Sequence, residues 1–317
     1  MTVIRFGVQI PSFSFEGVPA AGLLDRLAAL AGSAEGARFD SLFVMDHFYQ
    51  IGTVGSPEEP MLEGYTTLAA IAARSKSLQL GTMVTGVTYR NPALLAKTLT
   101  TLDVLSGGRA ILGIGAAWNE QEHAGYGFDF PPVAERFGRL EEAVRICRAM
   151  FTEERPSFAG RYYRIEGALN NPRPLRGDIP ILIGGSGEQK TLRLVAQYAD
   201  ACNLFGGPDT LRHKLGVLAG HCEAVGRDPG EITKTCLCTM VIDEDGARAH
   251  ATARQIAARR GLDEDAASQV AVFGDPGQVA EQVGERLAAG LDGIVFNFLP
   301  PPRPETLALA GEALQRL

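Results

Sequence analysis

The sequence predicts an α/β fold in which eight parallel strands, each followed by a helix, close into a (β/α)8 TIM barrel. Three observations carry this expectation. Eight short apolar runs alternate with segments whose apolar residues recur at helical spacing, the pattern that builds parallel sheets. The runs are apolar on both sides, as strands between a barrel core and covering helices must be. The 317 residues, 45% of them hydrophobic, suffice for such a core, and no linker, repeat or low-complexity run divides them. A doubly wound open sheet with an added domain is the structural alternative. The expected organisation is one domain over residues 1–317, with an insertion over about 152–180 after the fourth strand.

Each element has its own signal. Val3–Ile10 is rich in Val, Ile and Phe and stops at Pro11-Ser12. Leu23, Leu24, Leu27 and Leu30 mark a helix over Pro19–Ala37. The second strand, Asp40–Asp46, is apolar through Leu42-Phe43-Val44-Met45 and closes on Asp46-His47. An irregular loop, Gly52–Pro60, precedes a helix over Glu63–Arg74. Gln79–Val84 is the third strand, and Asn91-Pro92 opens a helix that ends near Ser106-Gly107-Gly108. Ala110–Gly115 is the fourth strand, with helices over Asn119–Ala124 and Val133–Phe151. Phe158–Ile165 reads as a small hairpin within the insertion. Pro180–Ile183 and Ala201–Phe205 are the fifth and sixth strands. Helix Pro208–Val225 leads to the seventh, Ile232–Ile242. Asp243–Arg260 and Ala280–Ala289 are helical, Gly293–Asn297 is the eighth strand, and Pro304–Leu317 is the closing helix.

The densest local signal lies where the fifth strand ends. Ile181-Leu182-Ile183 runs into Gly184-Gly185-Ser186-Gly187, and a helix over Glu188–Gln197 follows. A strand that stops in glycines and enters a helix aims several backbone N–H groups and the positive helix end at one small volume. Ser186 adds a hydroxyl, and Lys190 and Arg193 add charge. An ordinary flexible turn is the plainer reading, but three glycines in four positions exceed its needs, which favours phosphate binding. The pattern is neither a Rossmann fingerprint nor a Walker loop.

Barrel enzymes place their chemistry at the C-terminal ends of strands, and four further features fall there. Gln9 ends the first strand. Asp46-His47 ends the second, where the adjacent acid makes a catalytic role for His47 as good a reading as a structural one. Gly81-Thr82-Met83-Val84-Thr85-Gly86 stops a strand between two glycines. After the fourth strand, Gly113–Glu120 combines small residues with Trp118, the only tryptophan. Glu120 and Glu122 with His123 read either as an acid/base set or as a solvated first helical turn.

Composition excludes other classes. A net charge of −7 with no Lys/Arg run argues against nucleic acid or an anionic membrane as partner. No apolar run reaches the length of a membrane span, and the amino terminus enters a strand without signal-peptide features, so a cytoplasmic protein is expected. The five cysteines include Cys236-Leu237-Cys238, but no second pair stands at zinc spacing. Buried reduced thiols are expected, with no metal site and no Ser/His/Asp machinery.

Five of these pieces, in this order, resemble the luciferase-like monooxygenase superfamily, particularly its oxidoreductases dependent on the deazaflavin coenzyme F420. They are Val44–His47; Leu80–Val84 with Arg90-Asn91-Pro92; Gly113–Gly115 through Trp118-Asn119-Glu120; Phe158–Tyr163; and Ile183–Gly187. The resemblance implies that Asp46 and His47 face the isoalloxazine-like ring and that a non-prolyl cis peptide at Met83-Val84 presses on its back. It further implies that Ala116, Ala117, Trp118 and Asn119 border the ring and that Gly184, Gly185, Ser186 and Gly187 hold the phosphate. The sugar-phosphate dehydrogenases of this superfamily carry a glutamate where Trp118 stands and a second in the first loop near Phe13; both acids are missing here, which argues against sugar-phosphate oxidation. The aromatic residues found here imply a flatter, less polar substrate space.

The expected reaction is hydride transfer between reduced F420 and a C=C, C=N or C=O bond of a small organic substrate, with His47 and Glu120 (or Glu122) as proton carriers. An FMN-dependent two-component monooxygenase and a non-catalytic flavin-binding barrel are the rivals. A phosphosugar isomerase or aldolase would want a Lys or Glu at a strand end, which is not evident. The resemblance also implies a homodimer, supplied with reduced cofactor by a separate F420 or flavin reductase.

Overall fold

Eight parallel strands close on themselves: β1 (Phe6–Ile10), β2 (Ser41–Val44), β3 (Gln79–Thr82), β4 (Ala110–Gly115), β5 (Ile181–Gly184), β6 (Ala201–Leu204), β7 (Thr233–Ile242) and β8 (Gly293–Phe298). The computed structural model describes residues 4–317, so the expected beginning of the first strand at Val3 lies outside the described residues. Neighbouring strands pair in sequence order, and β1 returns to β8 with Gln9 opposite Asn297. The barrel expected from the alternation of elements is the one found.

The strands' two faces do different work. Outward residues such as Val8, Ile10, Leu42, Val44, Leu112 and Ile183 join the helices in the large hydrophobic core. Inward residues form a smaller cluster of Phe43, Met83, Ile111, Leu182, Ala201 and Val295. Both faces exclude water, which is why the strands read as continuous apolar runs. Helix termini follow their sequence signals. Asn91 accepts from the Ala93 amide at the start of α3 (Pro92–Ser106), and Gly107 ends it at φ 75°.

Three departures matter for the site. The third strand stops at Thr82, the Met83–Val84 peptide is cis, and Thr85–Gly86 resumes pairing against Ile114–Gly115. Gly113 makes this break fit, because a Cβ there would lie 1.9 Å from the Thr82 carbonyl oxygen. Second, β7 is ten residues long and divides its partners. Its first part pairs with β6, and its last with an additional parallel strand, Ala271–Gly274. That strand and the helix before it, Glu264–Val270, escaped the sequence reading. Gln269-Val270-Ala271-Val272 passes from helix to strand with no Gly or Pro to punctuate it. The next helix begins at Pro276, ahead of the expected Ala280, with Asp275 and Gln278 forming a capping box. Third, the helix after the fifth strand starts at Thr191, not Glu188.

Between helix Val133–Thr152 and β5, the expected hairpin pairs Phe158–Ala159 with Arg164–Ile165. The Glu142 carboxylate fastens it by accepting from the amides of Arg161, Tyr162 and Tyr163 at 2.7–3.0 Å. Among the described residues no helix is long and apolar enough to cross a membrane, and all five cysteines are free and buried.

Candidate active site

At the C-terminal ends of β2 to β6 the barrel opens into a cavity of about 290 Å³, close to the lower end of the range for small-molecule sites. Asp46 and His47 enter it from the end of β2. Met83 and Val84 form its floor at the break after β3, and Ala116, Ala117 and Trp118 line it after β4. Gly184 and Gly185 close one side, with Asn203, Phe205 and Leu237 completing the wall. Trp118 and Phe205 are exposed, an aromatic rim above a mainly apolar slot.

His47 is held by a carboxylate from distant sequence. Glu122, fully buried on the short helix α4 (Glu120–Tyr126), accepts from His47 Nδ1 at 2.9 Å. The same carboxylate accepts from the amides of Phe48 and Tyr49 at 2.8 and 3.0 Å and from the Tyr89 hydroxyl at 2.6 Å. Burial by itself raises the Glu122 pKa, but the bond and charge of His47, with Tyr89 and the Tyr49 amide, outweigh it. The carboxyl therefore sits below its usual range. The Tyr89 phenol moves the other way, pushed up by burial and by the carboxylate it bonds. With Nδ1–H committed to Glu122, Nε2 is the imidazole nitrogen left to exchange a proton. The ring also meets Trp118 edge-on, with centroids 5.5 Å apart.

Asp46 is wired differently. It is buried, and Arg90 grips it with both terminal nitrogens, at 2.5 and 3.0 Å. Arg90 also reaches Glu63 at 2.5 Å and lies 4.8 Å over the Tyr65 ring. Burial alone would lower the Arg90 pKa, yet the charge of Asp46 raises it. Asp46 thus faces the cavity already neutralised. Tyr65 continues the network to Thr85, which bonds Thr82, so the break after β3 hangs on the same set of groups.

The glycine turn after β5 serves two ends. Gly184 is needed for packing, since a Cβ there would approach Val84 Cγ1 to 2.8 Å. Gly185, at φ 124°, gives its N–H to the Asn203 carbonyl at 3.0 Å. The Ser186 hydroxyl accepts from the Phe205 amide at 3.0 Å. The amides of Ser186 and Gly187 carry no hydrogen bond among the described residues, so they are among the donors this turn leaves for an anion. The helix after β6, Pro208–Val225, braces the turn: Lys214 and His213 bind the Glu188 carboxylate at 2.5 and 3.1 Å, and His221 bonds its carbonyl. Lys190 is turned toward the Phe137 ring, and Arg193 lies 3.9 Å from Glu141.

Asp46, His47, Met83, Val84, Ala116, Ala117, Trp118, Gly184 and Gly185 therefore meet around one cavity. Other expected site residues do not line it. Glu120 is exposed, because the first residue of α4 points to solvent while the third points inward; the carboxylate that reaches His47 is Glu122. Asn119 caps α4, and its carbonyl accepts from His123 Nδ1 at 2.7 Å. His123 Nε2 is left to Thr88, so His123 takes no part in an acid/base set with Glu122. Ser186 and Gly187 lie just beyond the cavity wall. Phe13 is buried in the core rather than facing this cavity. Sequence reading missed the tie from Tyr89 and the role of Arg90 as counter-ion, which no local spacing signals.

The model of the family described as luciferase-like monooxygenase matches residues 4–293. The chain is 35% identical over 297 residues to an F420-dependent glucose-6-phosphate dehydrogenase of Kineococcus radiotolerans, covering 86% of each. Among solved structures it resembles the coenzyme F420-dependent tetrahydromethanopterin reductase of Methanopyrus kandleri, at a TM-score of 0.81 and 20% identity over 99% of both chains. A monooxygenase from Streptomyces bottropensis superposes with a TM-score of 0.80 at 22% identity, covering 98% of this chain and 99% of that one. These two likenesses speak for the fold. The match along nearly the whole chain identifies it: the protein belongs to the luciferase-like monooxygenase family.

Proposed function

We propose that this protein is an F420-dependent oxidoreductase that transfers hydride between the reduced deazaflavin and a C=C, C=N or C=O bond of a small organic substrate. The observation that carries the reading is His47 on the cavity wall with Nδ1 fixed by buried, ionised Glu122. Hydride transfer needs an accompanying proton beside the reacting bond, and a positioned imidazole supplies it. The curated relatives' dependence on F420 supports the choice of cofactor.

The residues present suit such a group. An apolar slot floored by Met83 and Val84 accepts a flat ring, Ala116, Ala117 and Trp118 border its edge, and the free amides of Ser186 and Gly187 suit a phosphate. When bound, the deazaflavin supplies the hydride-carrying carbon, C5. His47 holds or takes the proton at Nε2. Glu122 keeps the ring's tautomer and stabilises it when charged. Arg90 holds Asp46 still, and Trp118 and Phe205 shield the slot from water. We propose further that residues 1–317 act as one catalytic unit, supplied with reduced cofactor by a separate reductase.

Parallel titration of purified protein with F420 and with FMN, followed by fluorescence, tests this. The reading expects saturable F420 binding at least about tenfold tighter than FMN, a gap of about 1.4 kcal/mol. Tighter FMN binding accompanied by oxygen consumption overturns it in favour of the monooxygenase; cofactor binding with no turnover by any acceptor favours a non-catalytic barrel.

A further inference from the structure

The barrel mouth holds a second cavity, of about 620 Å³, that the proposed chemistry leaves unused. Ser12 and Ser14 reach it from the loop after β1, Pro300 from the loop after β8, and Thr252, Arg259 and Arg260 from the helix after β7. It thus lies at the same end of the barrel as His47. The segment after β2 serves both cavities, giving His47 to the first and Gly52 to Gly55 to the second.

Its guanidinium groups lack an acid. Among the described residues neither Arg259 nor Arg260 belongs to an ion pair. Arg260 is partly buried, with Nε donating to the Thr53 carbonyl at 2.8 Å, and burial lowers its pKa with no carboxylate acting to restore it. Arg90, Arg139 and Arg148 are also removed from water, yet each has carboxylate partners that raise its pKa. The one acid on this wall, Glu59, is engaged by the Ser56 amide and does not offset Arg260. A desolvated guanidinium without a counter-ion is unfavourable until an anion arrives, and its planar fork matches carboxylate and phosphate oxygens. The hydroxyls of Ser12, Ser14 and Thr252 are further donors on the same walls.

We propose that this second cavity seats an anionic group of the substrate, a carboxylate or a phosphate ester, and that Arg260, assisted by Arg259, anchors it while the reactive carbon meets His47. The assignment to substrate rests on the oxidoreductase reading above; the anion site itself does not.

The test is calorimetric titration of the full chain with inorganic phosphate and with benzoate. Wild type is compared with Arg260→Gln, Arg260→Lys and Arg259→Gln, each before and after saturation with F420, which occupies the phosphate turn. Saturable binding of at least one probe is expected, weakened about tenfold or more by Arg260→Gln, the factor one charge-assisted hydrogen bond carries. Arg260→Lys, which keeps the charge, loses less than Arg260→Gln, so a loss caused only by freeing Thr53 is told apart. Binding of phosphate alone assigns a phosphate ester, and of benzoate alone a carboxylate. No saturable binding to wild type, or binding equally strong in both glutamine variants, overturns the proposal. Failure of F420 to bind sinks the oxidoreductase reading instead, while the titrations without cofactor still report on the cavity.

Discussion

Asp46 and His47 are neighbours in sequence and face the same cavity, yet they are held in opposite ways. Asp46 meets a guanidinium that stays charged at any working pH, in a two-point grip that fixes its geometry. His47 meets a carboxylate through one nitrogen and keeps the other free, so its charge can change without its position changing. One pair is built for permanence and the other for exchange. A proton carrier is thus marked less by its own residue type than by a partner that orients it without occupying it.

Substitutions can break that contrast in order of expected effect. His47→Ala should lower the rate of deazaflavin turnover about 10²–10⁴-fold, the usual range for a general acid or base, with little change in cofactor affinity. An unchanged rate would leave the exchange role without support. Arg90→Ala should act on the fold instead, costing about 3–5 kcal/mol in denaturant unfolding by stranding Asp46 as an unpaired buried charge. Glu122→Gln should cost roughly 1.5–3 kcal/mol at neutral pH, the range for hydrogen bonds to a charged group. Since folding lowers the Glu122 pKa from its usual 4.5, that contribution is complete above this value and lost as pH falls through the lower folded one. The gap between wild type and Glu122→Gln should therefore close in acid, and a gap independent of pH would contradict an ionised Glu122.

Two smaller effects sharpen the picture. Gly184→Ala should cost about 1–3 kcal/mol through overpacking on Val84, and adding Val84→Ala should recover much of it. Additive losses would mean the two positions do not touch. Glu120→Gln should shift stability by less than about 0.5 kcal/mol, as exposed substitutions do, and leave the rate within experimental scatter.

What the sequence disclosed follows the range of the interactions concerned. Strands such as Ile181–Gly184 were legible because burial on both faces leaves a continuous apolar run. The contiguous pieces around the cavity, Asp46-His47 and Ala116-Ala117-Trp118, were legible because a barrel brings strand ends together. Pairings across the chain were not. Asp46 finds Arg90 at a separation of 44 residues and His47 finds Glu122 at 75, and no local periodicity encodes either. Choosing between Glu120 and Glu122 needed the rotation of a seven-residue helix, which a sequence too short for a clear apolar stripe does not reveal. Gly184 carries a further demand that the run of three glycines does not announce, because the neighbouring Val84 side chain leaves no room there for a Cβ.

The divided loyalty of β7 has a consequence for the shape of the slot. Its bonds to β6 end at Cys236, and from Thr239 onward that edge is given to Ala271–Gly274. Beyond the Cys236–Leu204 pair β7 no longer bonds β6, and Leu237 and Phe205, the next residue of each chain segment, line the cavity there. The aperture's width is thus a matter of where a seam stops being stitched. Lengthening or shortening the sixth staff by a residue should resize it more than any exchange of side chains, and related chains could tune the breadth of ligand they admit by that one increment.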